Sequence, residues 1–449
     1  MSQMIATSKV KAVIGTGITG LSVARFLAAQ QQSFVLLDTR VSPPNLEKVK
    51  NEFPGVSIEC GELNPQTLLA CDEIIVSPGV AVATPAIEQA KNAGIPIVGD
   101  IELFARYAKA PIVAITGSNA KSTVTTLVGE MAKAAGIRVA VGGNLGTPAL
   151  DLLDDSVELY VMELSSFQLE TVSKLNAKVA TILNISADHL DRYDSMRAYI
   201  LAKLRVYFGA EHIVVNRKDV LTHPPLAAGV KPIYFGGSAD FGSFGLIEQE
   251  NEEYLAKNLT PLMPSRELKI RGRHNVDNAL AALALGDAVG IPMTAMLDTL
   301  KNFKGLKHRC EFVAAKNGVE FYNDSKGTNI GATAAAIQGL ARDPQQLIVI
   351  LGGEGKGQDF TELAPSLNAI NNQVVLIGRD APIIEQAVVN VTKITHAASL
   401  KDAVSKAFAL AKSGDAVLLS PACASFDMFK GYEDRGDQFC QIVQELIES

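Results

Sequence analysis

The sequence predicts an α/β protein of three successive units, each built on a mainly parallel sheet. Three observations predict it. Short apolar strand-like runs alternate with helix-like runs along most of the chain, the pattern of parallel strands joined by crossover helices. Two glycine-bearing turns, near residues 15–20 and 116–121, each lie between such a strand and such a helix. A chain of 449 residues is also too long for one ordinary core, so two or three domains are expected.

The first unit is expected over 1–99, with strands near 11–14, 33–37, 73–76 and 95–98 and a helix near 21–30. Gly15-Thr16-Gly17-Ile18-Thr19-Gly20 fits GxGxxG, and Asp38 follows the second strand. Glycines let backbone approach a diphosphate, and an acid there can accept from a ribose hydroxyl. The residues alone leave two readings open, a diphosphate-bearing ligand or a tight turn packing helix on strand. Ser77-Pro78-Gly79 completes the same rim or is a plain turn.

The second unit is expected over 100–305. Its strands fall near 111–115, 138–141, 158–162, 179–183 and 212–215, with helices near 122–135, 196–208, 275–289 and 294–302. From about 224 to 264 the pattern weakens into short pieces, read as a small antiparallel patch. Ile115-Thr116-Gly117-Ser118-Asn119-Ala120-Lys121-Ser122-Thr123 is the informative run. A strand, a tight loop and Lys-Ser at a helix start hold a triphosphate: loop N–H groups face the phosphates, the ammonium pairs with them and a hydroxyl ligates Mg²⁺. Glu163 ends an apolar strand and is a Mg²⁺ candidate, because ligands collect at the carboxyl edge of such sheets. His189, beside Asp188 after another strand, is a candidate for a second cation. Lys203 lies on the helix near 196–208, where a solvated surface lysine is the default.

The third unit is expected over 306–449, with strands near 320–323, 347–351, 374–377, 392–395 and 416–419, again doubly wound. Composition narrows the function. A formal charge of −7 argues against nucleic acid or an anionic membrane as the main partner. Five cysteines without CxxC or Cys/His spacing fit reduced thiols. No apolar stretch approaches the roughly 18 residues that span a bilayer. The expectation is a cytoplasmic monomer that binds neither nucleic acid nor membrane.

These pieces occur in an order that resembles the Mur ligase family of ATP-dependent amide-forming enzymes. The resemblance covers the whole chain. It rests on the loop at 116–123, Met162-Glu163-Leu164-Ser165-Ser166-Phe167-Gln168-Leu169-Glu170, the segment 188–193, Gly272-Arg273-His274-Asn275 with Asn278, and Lys307-His308-Arg309. Asn323-Asp324-Ser325-Lys326-Gly327-Thr328, Gly352-Gly353-Glu354-Gly355-Lys356 and the run 419–425 complete it. It implies a UDP-binding Rossmann-like unit, a central P-loop ATPase and a C-terminal Rossmann-like unit that binds an amino acid. The implied reaction adds D-glutamate to UDP-N-acetylmuramoyl-L-alanine at the expense of ATP, through an acyl phosphate and a tetrahedral intermediate, in peptidoglycan precursor synthesis. The first glycine turn then holds UDP, not a nicotinamide cofactor.

By the same resemblance, Gly117, Ser118, Asn119, Ala120, Lys121, Ser122, Thr123, Asn278, Arg309, Asp324 and Lys326 bind ATP. Gly17, Ile18, Thr19, Asp38, Thr39, Arg40, Ser77, Gly79, Asn144 and Gln168 bind the UDP-substrate. Thr328, Lys356, Ser425, Phe426 and Tyr432 bind D-glutamate. Two Mg²⁺ ions are implied, held by Ser122, Glu163, His189 and Lys203 as a carbamate. Lys121, Glu163, His189, Lys203 and Arg309 are the catalytic set. The chain lacks the Asp-Asn-Pro-Arg motif of the diaminopimelate-adding relative, which favours D-glutamate.

Ala120 departs from the family's usual glycine. Either the local φ is negative and the methyl is tolerated, or ATP binding is weakened. Other readings are another amide ligase of this superfamily, a nucleotide-binding regulator crippled at Ala120, and a dehydrogenase resting on GxGxxG alone. Folylpolyglutamate synthases begin directly with the ATPase unit, so the N-terminal unit argues against them.

Overall fold

A computed structural model describes residues 9–43, 45–188, 192–226, 229–270, 272–340, 346–355 and 357–448. Three sheets follow one another along the chain. The first contains β1 (Val10–Ile14), β2 (Ser33–Asp38), β3 (Ile58–Cys60), β4 (Glu73–Val76) and β5 (Ile97–Val98), all parallel, in the order β3-β2-β1-β4-β5. The order reverses between β1 and β4, so the loops after those strands diverge and leave a crevice where ligands bind in open α/β sheets. The strand β3 is only three residues long, and sequence patterning passed over it.

The second sheet holds β6 (Ile112–Thr116), β7 (Val139–Gly143), β8 (Leu159–Glu163), β9 (Val179–Ile182) and β10 (His212–Asn216), followed by β11 (Ile233–Ser238), β12 (Ser243–Gln249), β13 (Glu252–Lys257) and β14 (Thr260–Pro264). Their order is β14-β13-β12-β11-β10-β9-β6-β8-β7. The weak region near 224–264 is therefore no separate patch. β11 pairs parallel with β10 and β12, and only β12, β13 and β14 run antiparallel, extending the same sheet to its edge. Strand β6 sits between β8 and β9, every residue buried, so the loop after it opens at the middle of the carboxyl edge.

The third sheet comprises β15 (Glu311–Lys316), β16 (Val319–Asn323), β17 (Leu347–Gly352), β18 (Asn372–Ile377), β19 (Lys393–His396) and β20 (Ala416–Leu419), ordered β15-β16-β20-β17-β18-β19. β15 is an antiparallel edge strand that the alternation reading missed. Helices cover both faces of the sheets, and the apolar residues beneath them are almost wholly buried. One cluster runs from Leu21 and Leu27 of the first unit to Leu150 and Tyr160 of the second, so those two units share a core. No helix among the described residues is long and apolar enough to cross a membrane.

Candidate active site

The loop after β6 is fixed before any ligand arrives. Ser118 N–H donates to the Asn184 carbonyl at 2.9 Å, and Asn119 N–H to Asn184 Oδ1 at 2.8 Å. The Ser118 hydroxyl donates to the Ser186 carbonyl at 3.0 Å and meets the Tyr199 hydroxyl at 2.9 Å. Buried polar groups satisfied in this way hold one geometry. The loop then enters the helix Lys121–Ala134, whose N-cap is Ala120 at φ 66°, in the left-handed region. Of the two alternatives at this position, the one that needed a negative φ is ruled out. The backbone takes the glycine-type conformation and the alanine methyl bears the strain, about 1 kcal/mol.

Two lysines converge on one carbonyl. Lys121 Nζ donates to the Gly117 and Ser118 carbonyls at 2.9 and 3.0 Å, and Lys203 Nζ donates to the same Gly117 carbonyl at 2.9 Å. The helix Met196–Leu204 is capped by the Ser195 hydroxyl, which accepts from Ala198 N–H. Tyr199 and Lys203 are four apart and share a face, with the Lys203 nitrogen 4.7 Å from the Tyr199 ring centre. Lys203 is only 1% exposed, so the default surface reading is wrong. Burial, with the Lys121 charge beside it, drives its pKa well below the ordinary lysine value. Lys121 is lowered too, chiefly by burial.

Glu163, the last residue of the fully buried β8, is 2% exposed. Its Oε1 accepts from Asn144 Nδ2 at 2.6 Å, while Oε2 has no partner among the described residues. A buried carboxylate oxygen left without a donor is costly, and it fits a divalent cation. Ser122 lies in the same cleft, so the donor chemistry suits Mg²⁺.

The third unit supplies the other wall. Arg309 Nη2 donates to the Ser122 hydroxyl at 2.7 Å across 187 residues of sequence. Its neighbours His308 and Cys310 both have positive φ, 63° and 46°. Their anchors lie at the end of β16: the His308 ring contacts Asn323 Nδ2 at 2.9 Å, and Cys310 N–H donates to Asp324 Oδ1 at 3.1 Å. Burial raises Asp324 to about 6. Burial, then the Arg309 charge, lowers Lys326 to about 8, and its ammonium lies 3.6 Å from the Tyr432 ring centre.

Two clefts meet here. One, of about 320 Å³, is lined by Leu183, Phe235 and Ile270 with Asn278 and Asp324. The other, of about 610 Å³, holds Lys121, Ser122, Glu163, Lys203, Thr328 and Tyr432. Asn119, Ala120, Arg309 and Lys326 line both. Such an arrangement accepts a base in the apolar cleft and a phosphate chain across the loop. Sequence reasoning missed the apolar base wall, Tyr199 and Asn329, because none lies in a glycine- or charge-marked motif.

In the first unit the glycine turn works by close approach. A side chain at Gly20 would place its Cβ 1.7 Å from the Gly15 carbonyl oxygen, while Gly17 has open space around it. Ile18, 74% exposed, stands with Thr19, Thr39 and Arg40 on this rim, and Ser77 packs against Gly15 just ahead of Gly79. Asp38 differs from expectation. It is buried, and both its oxygens are taken by Thr16, through N–H and hydroxyl, and by Arg40. Burial pushes its pKa up, but Arg40 and Thr16 prevail and hold it well below the carboxylate range. The acid braces the loop, and both its oxygens already accept hydrogen bonds from within it.

Gln168 likewise faces inward. Its Oε1 accepts from Ser165 N–H and hydroxyl, and its Nε2 donates to Asp100 Oδ2. Gly117, Ser118 and Thr123 lie in or beside the nucleotide clefts, and Asn144 joins the metal side. Ser425 is buried and Phe426 is 71% exposed, and neither lines a described cleft. His189 and Lys356 lie outside the described residues.

A phosphate loop, a half-paired acid at the adjacent strand end and an arginine delivered from a third unit make a site suited to a nucleoside triphosphate and a divalent cation. Matches to models of the MurD-like N-terminal domain (9–99), the Mur ligase middle domain (115–286) and the Mur ligase glutamate ligase domain (308–423) cover most of the chain. The chain belongs to the Mur ligase family. It is 56% identical to the UDP-N-acetylmuramoylalanine–D-glutamate ligase of Pseudomonas fluorescens over 445 residues, 99% of each chain. The enzyme of the same name from Acinetobacter baylyi is 52% identical over 450 residues, 99% of this chain and all of that one. Among solved structures, the UDP-N-acetylmuramate–alanine ligase of Thermotoga maritima covers 98% of this chain and 99% of its own at 19% identity, with a TM-score of 0.58. A pseudomurein peptide ligase from Methanothermus fervidus covers 98% and 100% at 19% identity and 0.61. These two share the fold.

Proposed function

We propose that this chain is the ATP-dependent ligase that joins D-glutamate to UDP-N-acetylmuramoyl-L-alanine, releasing ADP and phosphate. The observation that carries the reading is Arg309, reaching from the third unit to the Ser122 hydroxyl beside Lys121 and the unpartnered Glu163 oxygen. The full-length likeness to ligases of that name supports the substrate.

A carboxylate oxygen is a poor leaving group, so the L-alanine carboxylate must first take a phosphoryl group from ATP. Two anions then meet, and the site needs concentrated positive charge. Lys121 and the loop N–H groups hold the phosphates, and Arg309 faces the charge developing on the transferred phosphoryl. Mg²⁺, when bound, neutralises phosphate charge; Ser122, Glu163 and a carbamate on Lys203 would hold one ion, and His189 a second. Lys203 suits that modification, since burial and the Lys121 charge lower its pKa and so favour the free amine that CO₂ requires. The D-glutamate amine attacks the acyl phosphate, and the tetrahedral intermediate expels phosphate. Thr328 and Tyr432 line the cleft where that amine would enter; Ser425, Phe426 and Lys356 are proposed with them from the family resemblance alone.

The unit boundaries proposed are 99/100 and 305/306, and the protein is proposed as a cytoplasmic monomer acting on soluble precursors. Phosphate release with ATP, Mg²⁺, UDP-N-acetylmuramoyl-L-alanine and D-glutamate, omitting each in turn, tests the reading. Release that needs all four and fails with L-glutamate supports it. Silence restored by Ala120→Gly points to a loop weakened by its alanine. Silence in both forms overturns the substrate assignment.

A further inference from the structure

Arg309 can act only if the third unit is seated on the second, and the seating has its own hardware. The helix Ile330–Leu340 points its N-terminal end at the phosphate loop. Asn329, immediately before it, is 6% exposed. Its Nδ2 donates to Asp188 Oδ2 at 3.1 Å and to Asn119 Oδ1 at 3.4 Å. Its Oδ1 accepts from Ala332 N–H at 2.8 Å, capping the helix. The carboxamide thus spends its donors across the unit boundary and its acceptor on its own helix.

Gly331 gives an independent sign of the same seat. A Cβ there would lie 2.8 Å from Ser186 Oγ and 3.4 Å from Asn119 Nδ2. The helix end comes this close only because residue 331 has no side chain. Asn119 belongs to the phosphate loop, and Asp188 belongs to the segment that the Asn184–Ser186 hydrogen bonds fasten to that loop.

We propose that Asn329 is a positioning residue that locks the third unit onto the second by engaging Asn119 and Asp188 together, with Gly331 providing the clearance. Arg309, Lys326 and Thr328 are carried on the same unit and reach the cleft only when this lock is made. The proposal rests on the ligase reading for its kinetic consequence, not for its structural one. No direct contact of Asn329 with a substrate is invoked.

Two variants separate the lock from the helix cap. Asn329→Ser keeps a capping hydroxyl but is too short to reach Asn119 and Asp188. Gly331→Ala leaves Asn329 intact, raises helix propensity and fills the clearance. The expected result in both is a larger radius of gyration by X-ray scattering with an ATP analogue and Mg²⁺. A raised KM for ATP and a kcat lower by about 10²-fold should accompany it, as misplacement of distant groups produces. Asn329→Asp, which sets a carboxylate against Asp188, should be more severe than Asn329→Ser. Unchanged dimensions and KM in both variants overturn the proposal. Lost turnover at unchanged dimensions also overturns it, since that would mark direct action on substrate. If Asn329→Ser fails to fold, Gly331→Ala carries the test, its helix being favoured by the change. Scattering needs only nucleotide, so a wild-type chain that closes yet does not turn over D-glutamate refutes the substrate reading and leaves this one standing.

Discussion

The two glycine-bearing loops look alike in sequence and differ in physics. In the first, Gly20 lets the helix approach the turn, and the buried Asp38, held by Thr16 and the exposed Arg40, absorbs the local charge. In the second, left-handed backbone falls on Ala120, and two lysines crowd one carbonyl with no carboxylate bonded to either among the described residues. The first loop is finished as it stands and offers shape. The second has a Glu163 oxygen without a partner among the described residues and lysines of lowered pKa, a combination suited to phosphate and metal.

The contrast breaks most sharply at Lys203. Lys203→Ala should cut turnover by on the order of 10³-fold, with part of the loss recovered by short carboxylic acids in the assay. Unchanged turnover would remove the carbamate from the site. In the first loop the matching blow is to stability: Gly20→Ala forces a methyl onto the Gly15 carbonyl, costing about 3 kcal/mol in urea unfolding, while the second unit still binds an ATP analogue. Loss of that binding would show the two loops to be one cooperative unit.

Two buried acids sharpen the comparison through pH. Asp100, under Gln168, has one oxygen without a partner among the described residues, and burial raises it from 3.8 to about 6. Well below pH 3.8 it is protonated in folded and unfolded chains alike. From there to pH 6 the folded chain binds more protons, so stability falls as pH rises, by up to about 3 kcal/mol. Asp100→Asn should flatten that slope and raise stability at pH 7, and an unaltered slope would place the titration elsewhere. Asp38 has the opposite sign: its depressed pKa adds stability at neutral pH that is lost as pH falls below the ordinary carboxylate range. The smallest effect is expected at Ala120. Ala120→Gly should stabilise the second unit by about 0.5 kcal/mol with little change in the ATP KM, since relief of left-handed strain is partly offset by glycine's greater freedom when unfolded.

Much of this was legible in the chain because it depends on local pattern. The alternation of apolar runs marked nearly every parallel strand, and Lys121, Ser122 and Glu163 were marked by their places at strand and helix ends. β3 and β15 were not, one being too short and the other an edge strand whose pairing is set by a partner rather than by its own sequence. Asp38 and Gln168 were read as ligand contacts because residue type shows what a group can bind, not what already occupies it. Lys203 looked like a surface lysine, since one residue on a helix carries no signal of which face is covered.

By itself, then, the sequence determined the three α/β units, the phosphate loop and the family of motifs, all consequences of backbone preference and short-range spacing. The tertiary structure alone decided which carboxylate oxygens lack a partner among the described residues, which lysines have their pKa lowered and how Arg309 and Asn329 reach a loop some two hundred residues earlier in the chain. Burial and charge proximity act between groups that only folding brings together, and no spacing along the chain encodes them.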